Sequence, residues 1–197
     1  MASGQGTRRM PTEQRRQHIL DEALTLYSRD GYDAVGMRDI AAACGMTATS
    51  IYRHFDNKEA LLVGIFDRLS DEMTSGMREA SRIDELPERL LHLIRTHISL
   101  AMGEPPIIRV YQREELSLPP QERQRFRKVE RSYVGLWVET VCALRPETTQ
   151  QEARTAVIAA FGAINSIAGT HSTRSARSVV TQLVEITLRV LNVQVDI

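Results

Sequence analysis

The stretch Met37–Lys58, MRDIAAACGMTATSIYRHFDNK, decides how the rest of the chain is read. In RDIAAAC, the side chains of Ile40, Ala41 and Cys44 fall on one side of a short helix. Gly45 then supplies the backbone freedom that a sharp helix-to-helix turn requires. A second short helix follows, with Ile51 and Phe55, four apart, on its inner face. Thr47, Thr49, Ser50, Tyr52, Arg53 and His54 are left mostly on the outer one. Two short helices around a glycine fit either an all-helical core or a helix-turn-helix. Hydroxyls, a phenol, an arginine and an imidazole gathered on one helix favour the second, because these groups bond phosphate oxygens and base edges. On that reading Thr47, Ser50, Tyr52, His54 and Lys58 sit on phosphates, and Arg38, Ala48, Thr49 and Arg53 lie nearest the base edges of a double-stranded operator.

Outward from this stretch, every segment reads as helix. Upstream, Ile19, Leu20, Ala23, Leu24 and Tyr27 recur at three and four, and Gly31 closes that helix behind the motif. Residues 1–11, MASGQGTRRMP, have the composition of a flexible arm, in which Arg8 and Arg9 either stay solvated or reach DNA. Downstream, a long amphipathic helix opens at Lys58, with Leu61, Leu62, Ile65, Phe66 and Leu69 as its stripe. Leu86–Met102, Ile107–Leu116 and Glu122–Leu144 follow, separated by Gly103-Glu104-Pro105-Pro106 and by Pro119-Pro120. The fold is expected to be all-α, with a helix-turn-helix domain over 12–57 and a helical ligand-binding and dimerisation domain over 58–197.

Two further helices are expected at about Thr149–His171 and Ser175–Val193, and the first is apolar on more than one side. Such a pair forms either a central core or a two-fold four-helix interface between copies. The interface reading assigns Val157, Phe161, Ile164, Ala168, Val180, Leu183, Val184 and Leu188 to a homodimer. Two heads about 34 Å apart would then read a near-palindrome. Between motif and interface, Met102, Val110, Tyr111, Arg113, Tyr133, Leu136, Trp137, Phe161 and Asn165 offer either core packing or the lining of a pocket for a small-molecule effector.

Composition excludes several classes. Lys and Arg number 25 against 25 Asp and Glu, so bulk electrostatics do not hold the chain on nucleic acid, and a few cations must be concentrated locally. No apolar run approaches the roughly 18 residues of a membrane span, and a soluble, cytoplasmic protein is expected. Cys44 and Cys142 read as free buried thiols. His92 and His97 are five apart and do not share a helix face as metal ligands would at four. With no cysteine pair, phosphate loop or nucleophile elbow in the sequence, no metal, cofactor or enzymatic activity is expected.

The run Arg15–Leu62, and within it GYDAVGMRDIAAACGMTATSIYRHFDNKEALL, resembles the N-terminal domain of the tetracycline-repressor (TetR) family of bacterial regulators. Met37 stands where relatives commonly carry threonine. The resemblance implies a homodimeric repressor, released from its operator by a small hydrophobic effector through the helix that opens at Lys58. A vestigial head on a binding or scaffold protein is the alternative. YQREELSLPPQERQRFRKVERSYVGLW is also similar to a subgroup with lipid or acyl-CoA-type effectors, which implies that Arg109, Arg113 or Arg127 meets ligand phosphates.

Overall fold

The computed structural model describes residues 12–169 and 176–195; Arg8 and Arg9 lie outside them. Described residues form nine α-helices and no strand: α1 Thr12–Asp30, α2 Met37–Ala43, α3 Ala48–Ile51, α4 Lys58–Ala80, α5 Leu86–Gly103, α6 Pro105–Glu114, α7 Pro120–Leu144, α8 Gln150–Asn165 and α9 Ala176–Leu191. None is long and apolar enough to cross a membrane. The chain divides into two compact units, Met1–Ile65 and Phe66–Ile197.

In the first unit, α1 buries Ile19, Leu20, Ala23, Leu24 and Tyr27. The Tyr27 hydroxyl donates to the carbonyl of Lys58 at 3.2 Å, tying α1 to the start of α4. Gly64 lets α4 come close: a Cβ there would stand 2.9 Å from a Leu20 methyl. Helix α2 starts at Gly36, whose N–H is accepted by the Asp39 carboxylate at 2.8 Å. It stops because Gly45 takes φ +62°, the left-handed region that side chains resist. The Met46 N–H then returns to Ala41 O at 2.8 Å and the Gly45 N–H to Ala42 O at 3.1 Å, pairing carbonyls that the helix end would otherwise orphan.

In the second unit α5, α7, α8 and α9 pack on one another. Leu90, Leu93, Ile94 and Ile98 of α5 meet Tyr133, Trp137 and Val141 of α7, Val157, Ala160 and Ile164 of α8, and Leu183, Val184, Leu188 and Leu191 of α9 as one buried set. Thr149 and Glu152 cap α8 reciprocally: Glu152 accepts the Thr149 N–H at 2.9 Å, and the Thr149 hydroxyl accepts the Glu152 N–H at 3.3 Å.

Two sequence expectations change here. Pro105 and Pro106 open α6 instead of merely ending α5, and Pro120 opens α7, because the first turn of a helix needs no donor from proline. The dimer-interface set is also turned inward. Val157, Ile164, Leu183, Val184 and Leu188 are buried within the chain's own core, and Phe161 and Val180 are half-buried. The Ala168 side chain lies outside the described residues. Outward-facing apolar residues on these helices are instead Ile158 at 54% exposure, Ile186 at 44% and Val190 at 37%.

Candidate nucleic-acid interface and ligand cavity

Helix α3 has four residues, too few to hold together alone. Three devices fix it. The Thr47 hydroxyl accepts the Ser50 N–H at 3.2 Å as N-cap, and Ile51 and Phe55 are buried at 0% and 3% exposure. Beyond the helix, Arg16 donates to the carbonyl of His54 at 3.2 Å and lies 4.2 Å over the Phe55 ring. Arg16 therefore holds the outgoing end of the segment from α1, a role that no local pattern reveals.

Arg38, Thr47, Thr49, Tyr52 and Arg53 are exposed, and Ala48, Ser50 and His54 are half-buried. Tyr52 shows half its surface, 51%. Arg38 and Arg53 make no ion pair among the described residues, so both cations are available to an external anion. Thr47 keeps an O–H to donate while its oxygen caps the helix.

Lys58 departs from expectation. Its ammonium turns inward, donating to Tyr32 O at 3.1 Å and Asp33 O at 3.5 Å and sitting 4.3 Å over the Tyr32 ring. It braces the start of α4 through these two carbonyls. The partner lies 26 residues upstream, beyond the reach of helical spacing.

The second unit contains a cavity of about 500 Å³. Tyr111, Tyr133, Phe161 and Asn165 line it, as expected from the sequence. The remaining pocket residues do not: Trp137 and Val110 are core, Arg113 is exposed, and Met102 and Leu136 are half-buried away from its wall. Helical periodicity separates inside from outside but not core from cavity wall. His97, Glu130, Arg131 and Arg154 belong to the lining and were missed. For His97 a signal existed: it interrupts the inward stripe Leu90, Leu93, Ile94, Ile98, Ala101 of α5.

At the cavity floor His97 stacks on Phe161, with centroids 4.1 Å apart at 15°, while Trp137 meets the Phe161 ring edge-on at 4.9 Å. The Tyr133 hydroxyl lies 3.4 Å from His97 Nδ1. Burial drives the His97 pKa down to about 4, and neighbouring Asn165 opposes this only in part, so the ring is neutral at pH 7. Burial likewise pushes the Tyr133 phenol up, keeping it protonated. The Tyr111 hydroxyl donates to Glu130 at 2.5 Å. Arg127, expected at ligand phosphates, is tied to Glu115, and Arg125 to Asp67 and Glu122. Arg131 and Arg154 have no ion pair among the described residues.

The His97 environment makes stability depend on pH. Its folded pKa is depressed from 6.5 to about 4, so below pH 6.5 the unfolded chain binds a proton that the folded chain refuses. Stability therefore falls as pH drops from 6.5 toward 4 and levels off below. Denaturant titrations at pH 7 and pH 4 should show His97→Phe losing about 3 kcal/mol less than the native chain over that interval. Equal losses would contradict the buried neutral ring.

Residues 19–65 match the domain of the bacterial regulatory proteins of the tetR family, and residues 84–190, more than half of the chain, match a tetracyclin repressor-like C-terminal domain. The chain belongs to the TetR family. Among TetR relatives, the HTH-type transcriptional repressor KstR2 of Rhodococcus jostii (strain RHA1) is 34% identical over 111 residues, 55% of this chain and 54% of that protein. The chain spans about half the length of the curated relatives it matches. A TetR-family transcriptional regulator from Bordetella parapertussis 12822 shares the fold with a TM-score of 0.80 at 21% identity, covering 92% of this chain and 98% of that one. The regulator FadR of Bacillus subtilis, solved in complex with stearoyl-CoA, shares it at 0.65 with 17% identity, covering 87% and 96%. Among described residues no cluster of three His, Cys, Asp or Glu is placed to hold a metal. Cys44 and Cys142 are free and half-buried, and burial raises the Cys44 thiol to about 11, far from a reactive thiolate.

Proposed function

We propose that this TetR-family chain is a sequence-specific DNA-binding transcriptional repressor, acting as a homodimer on a near-palindromic operator and released by a small-molecule effector. The observation that carries the reading is the set of exposed polar residues on α2, α3 and the segment after it, with Arg38 and Arg53 in no ion pair among the described residues, around a turn closed at Gly45. Arg38, Ala48, Thr49 and Arg53 read base edges, and Thr47, Ser50, Tyr52 and His54 hold phosphates. The head domain ends near residue 57, and the remainder binds effector and partner. Exposed Ile158, Ile186 and Val190 on α8 and α9 supply an apolar surface for a second copy.

The effector occupies the second-unit cavity and is mainly apolar, with Arg131 and Arg154 at the lining available to an anionic group. A ligand there touches Leu69 and Met73 of α4, the helix that begins at Lys58 in the first unit. It releases DNA if it binds the non-reading conformation more tightly than the reading one. KstR2 is a repressor by its own description, which supports the sign of regulation.

In a binding-site selection, Arg38→Ala should lose about 1–3 kcal/mol on the preferred sequence and relax the base preference at one position of each half-site. Unaltered preference at every position would remove Arg38 from the base-reading set.

A further inference from the structure

A second cavity, of about 340 Å³, adjoins the first within the second unit. Met73, Leu100 and Tyr133 line both, so these three side chains stand between them. They are not equally free to move. Tyr133 is 1% exposed and is wedged among the rings of Phe161, His97 and Trp137, at 5.7, 5.9 and 6.3 Å between centroids. Met73 of α4 is unbranched, with a soft thioether and several rotatable bonds, and can swing aside while its helix stays in place. The partition has one fixed side and one movable side. The two chambers also differ in chemistry. Leu69, Ile108, Phe126 and Phe161 make the first mainly apolar. Glu72, Thr96, Ser99 and Glu104 give the second a largely polar wall, and Glu72 and Ser99 are exposed, so it opens to solvent.

We infer that the ligand is a flexible, unbranched chain that passes Met73 and Leu100 and ends in a hydrogen-bond-donating tip, such as a hydroxyl, in the second cavity. The inference rests on the effector-cavity reading above and adds to it the length of the ligand and the chemistry of its far end. A rigid ring system does not thread the partition and stays in the first chamber. A methyl tip gains nothing among the hydroxyls and carboxylates of the second, and the Glu72 carboxylate disfavours an anionic one.

The test is calorimetric titration of the full chain with decanoate, 10-hydroxydecanoate, hexadecanoate and 16-hydroxyhexadecanoate, each below the concentration at which it self-associates. The ten-carbon chain ends inside the apolar chamber, so its terminal hydroxyl should weaken binding by roughly tenfold. The sixteen-carbon chain reaches the polar chamber, so there the hydroxyl should strengthen binding by about fivefold. Ser99→Trp places an indole in the second cavity from an exposed position that the fold does not depend on. It should make the sixteen-carbon pair behave as the ten-carbon pair does and leave the ten-carbon affinities unchanged. Met73→Ala lowers the partition and should tighten both sixteen-carbon chains relative to the ten-carbon ones. A merely structural loss would not move the long chains in opposite directions in the two variants. A hydroxyl that weakens both lengths alike, or a sixteen-carbon pair indifferent to both substitutions, overturns the inference and leaves the cavity reading standing. If none of the four binds, the effector-cavity reading falls and takes the inference with it.

Discussion

Trp137→Ala is expected to destabilise the second unit by about 3–5 kcal/mol, the range for emptying a fully buried large aromatic position. The indole is 0% exposed and is enclosed by Phe161 at 4.9 Å, His97 at 6.1 Å and Tyr133 at 6.3 Å between ring centroids. Its removal costs the transfer free energy of the ring plus the contacts its neighbours lose across the void, which helices α5, α7 and α8 cannot close without leaving their other contacts. Thermal unfolding should shift down by roughly 10 °C at that cost for a chain of this size. Leu116→Ala makes the comparison sharp: at 72% exposure it should stay within about 0.5 kcal/mol of the native chain. A Trp137 variant as stable as the Leu116 variant would refute the packing described for α7 and α8.

Ile51→Ala carries the second large effect, about 2–5 kcal/mol in the first unit. Here the functional consequence exceeds the energetic one. A single-turn helix owes its position to what it buries, and α3 buries Ile51, with Phe55 just beyond. The Thr47 cap contributes only about 1 kcal/mol and cannot substitute for that anchor. With Ile51 truncated, amide exchange over residues 47–55 should accelerate and operator affinity should fall even though every proposed DNA contact is retained. Native protection of those amides in the variant would show that the segment is held by something other than its apolar face.

The two units were legible to different depths. In the first, the order of events in RDIAAACGMTATSIYRHF follows local rules: a glycine that alone takes φ +62° at low cost, a threonine that caps, two apolar residues four apart. All three act within a few residues, and the turn could be read directly. Lys58 and Arg16 could not, because their partners, Tyr32 and His54, are 26 and 38 residues away and are brought near only by packing. In the second unit, periodicity marked Tyr133 and Trp137 alike as inward, yet one lines a cavity and the other is core. That difference depends on whether the facing helix supplies a side chain, not on the helix itself. The same ambiguity misplaced the surface of α8. Val157 and Ile158 are adjacent and equally apolar, and only the position of α9 and α7 decides that Val157 faces in and Ile158 out.

Whether α2 and α3 form a reading head is tested most directly by footprinting the intact chain, at low salt, on duplex DNA from the region upstream of its own coding sequence. Two protected half-sites about one helical turn apart are predicted, with affinity falling steeply as salt is raised. Absence of any protected segment along that duplex, under conditions where the chain is folded, would contradict the account.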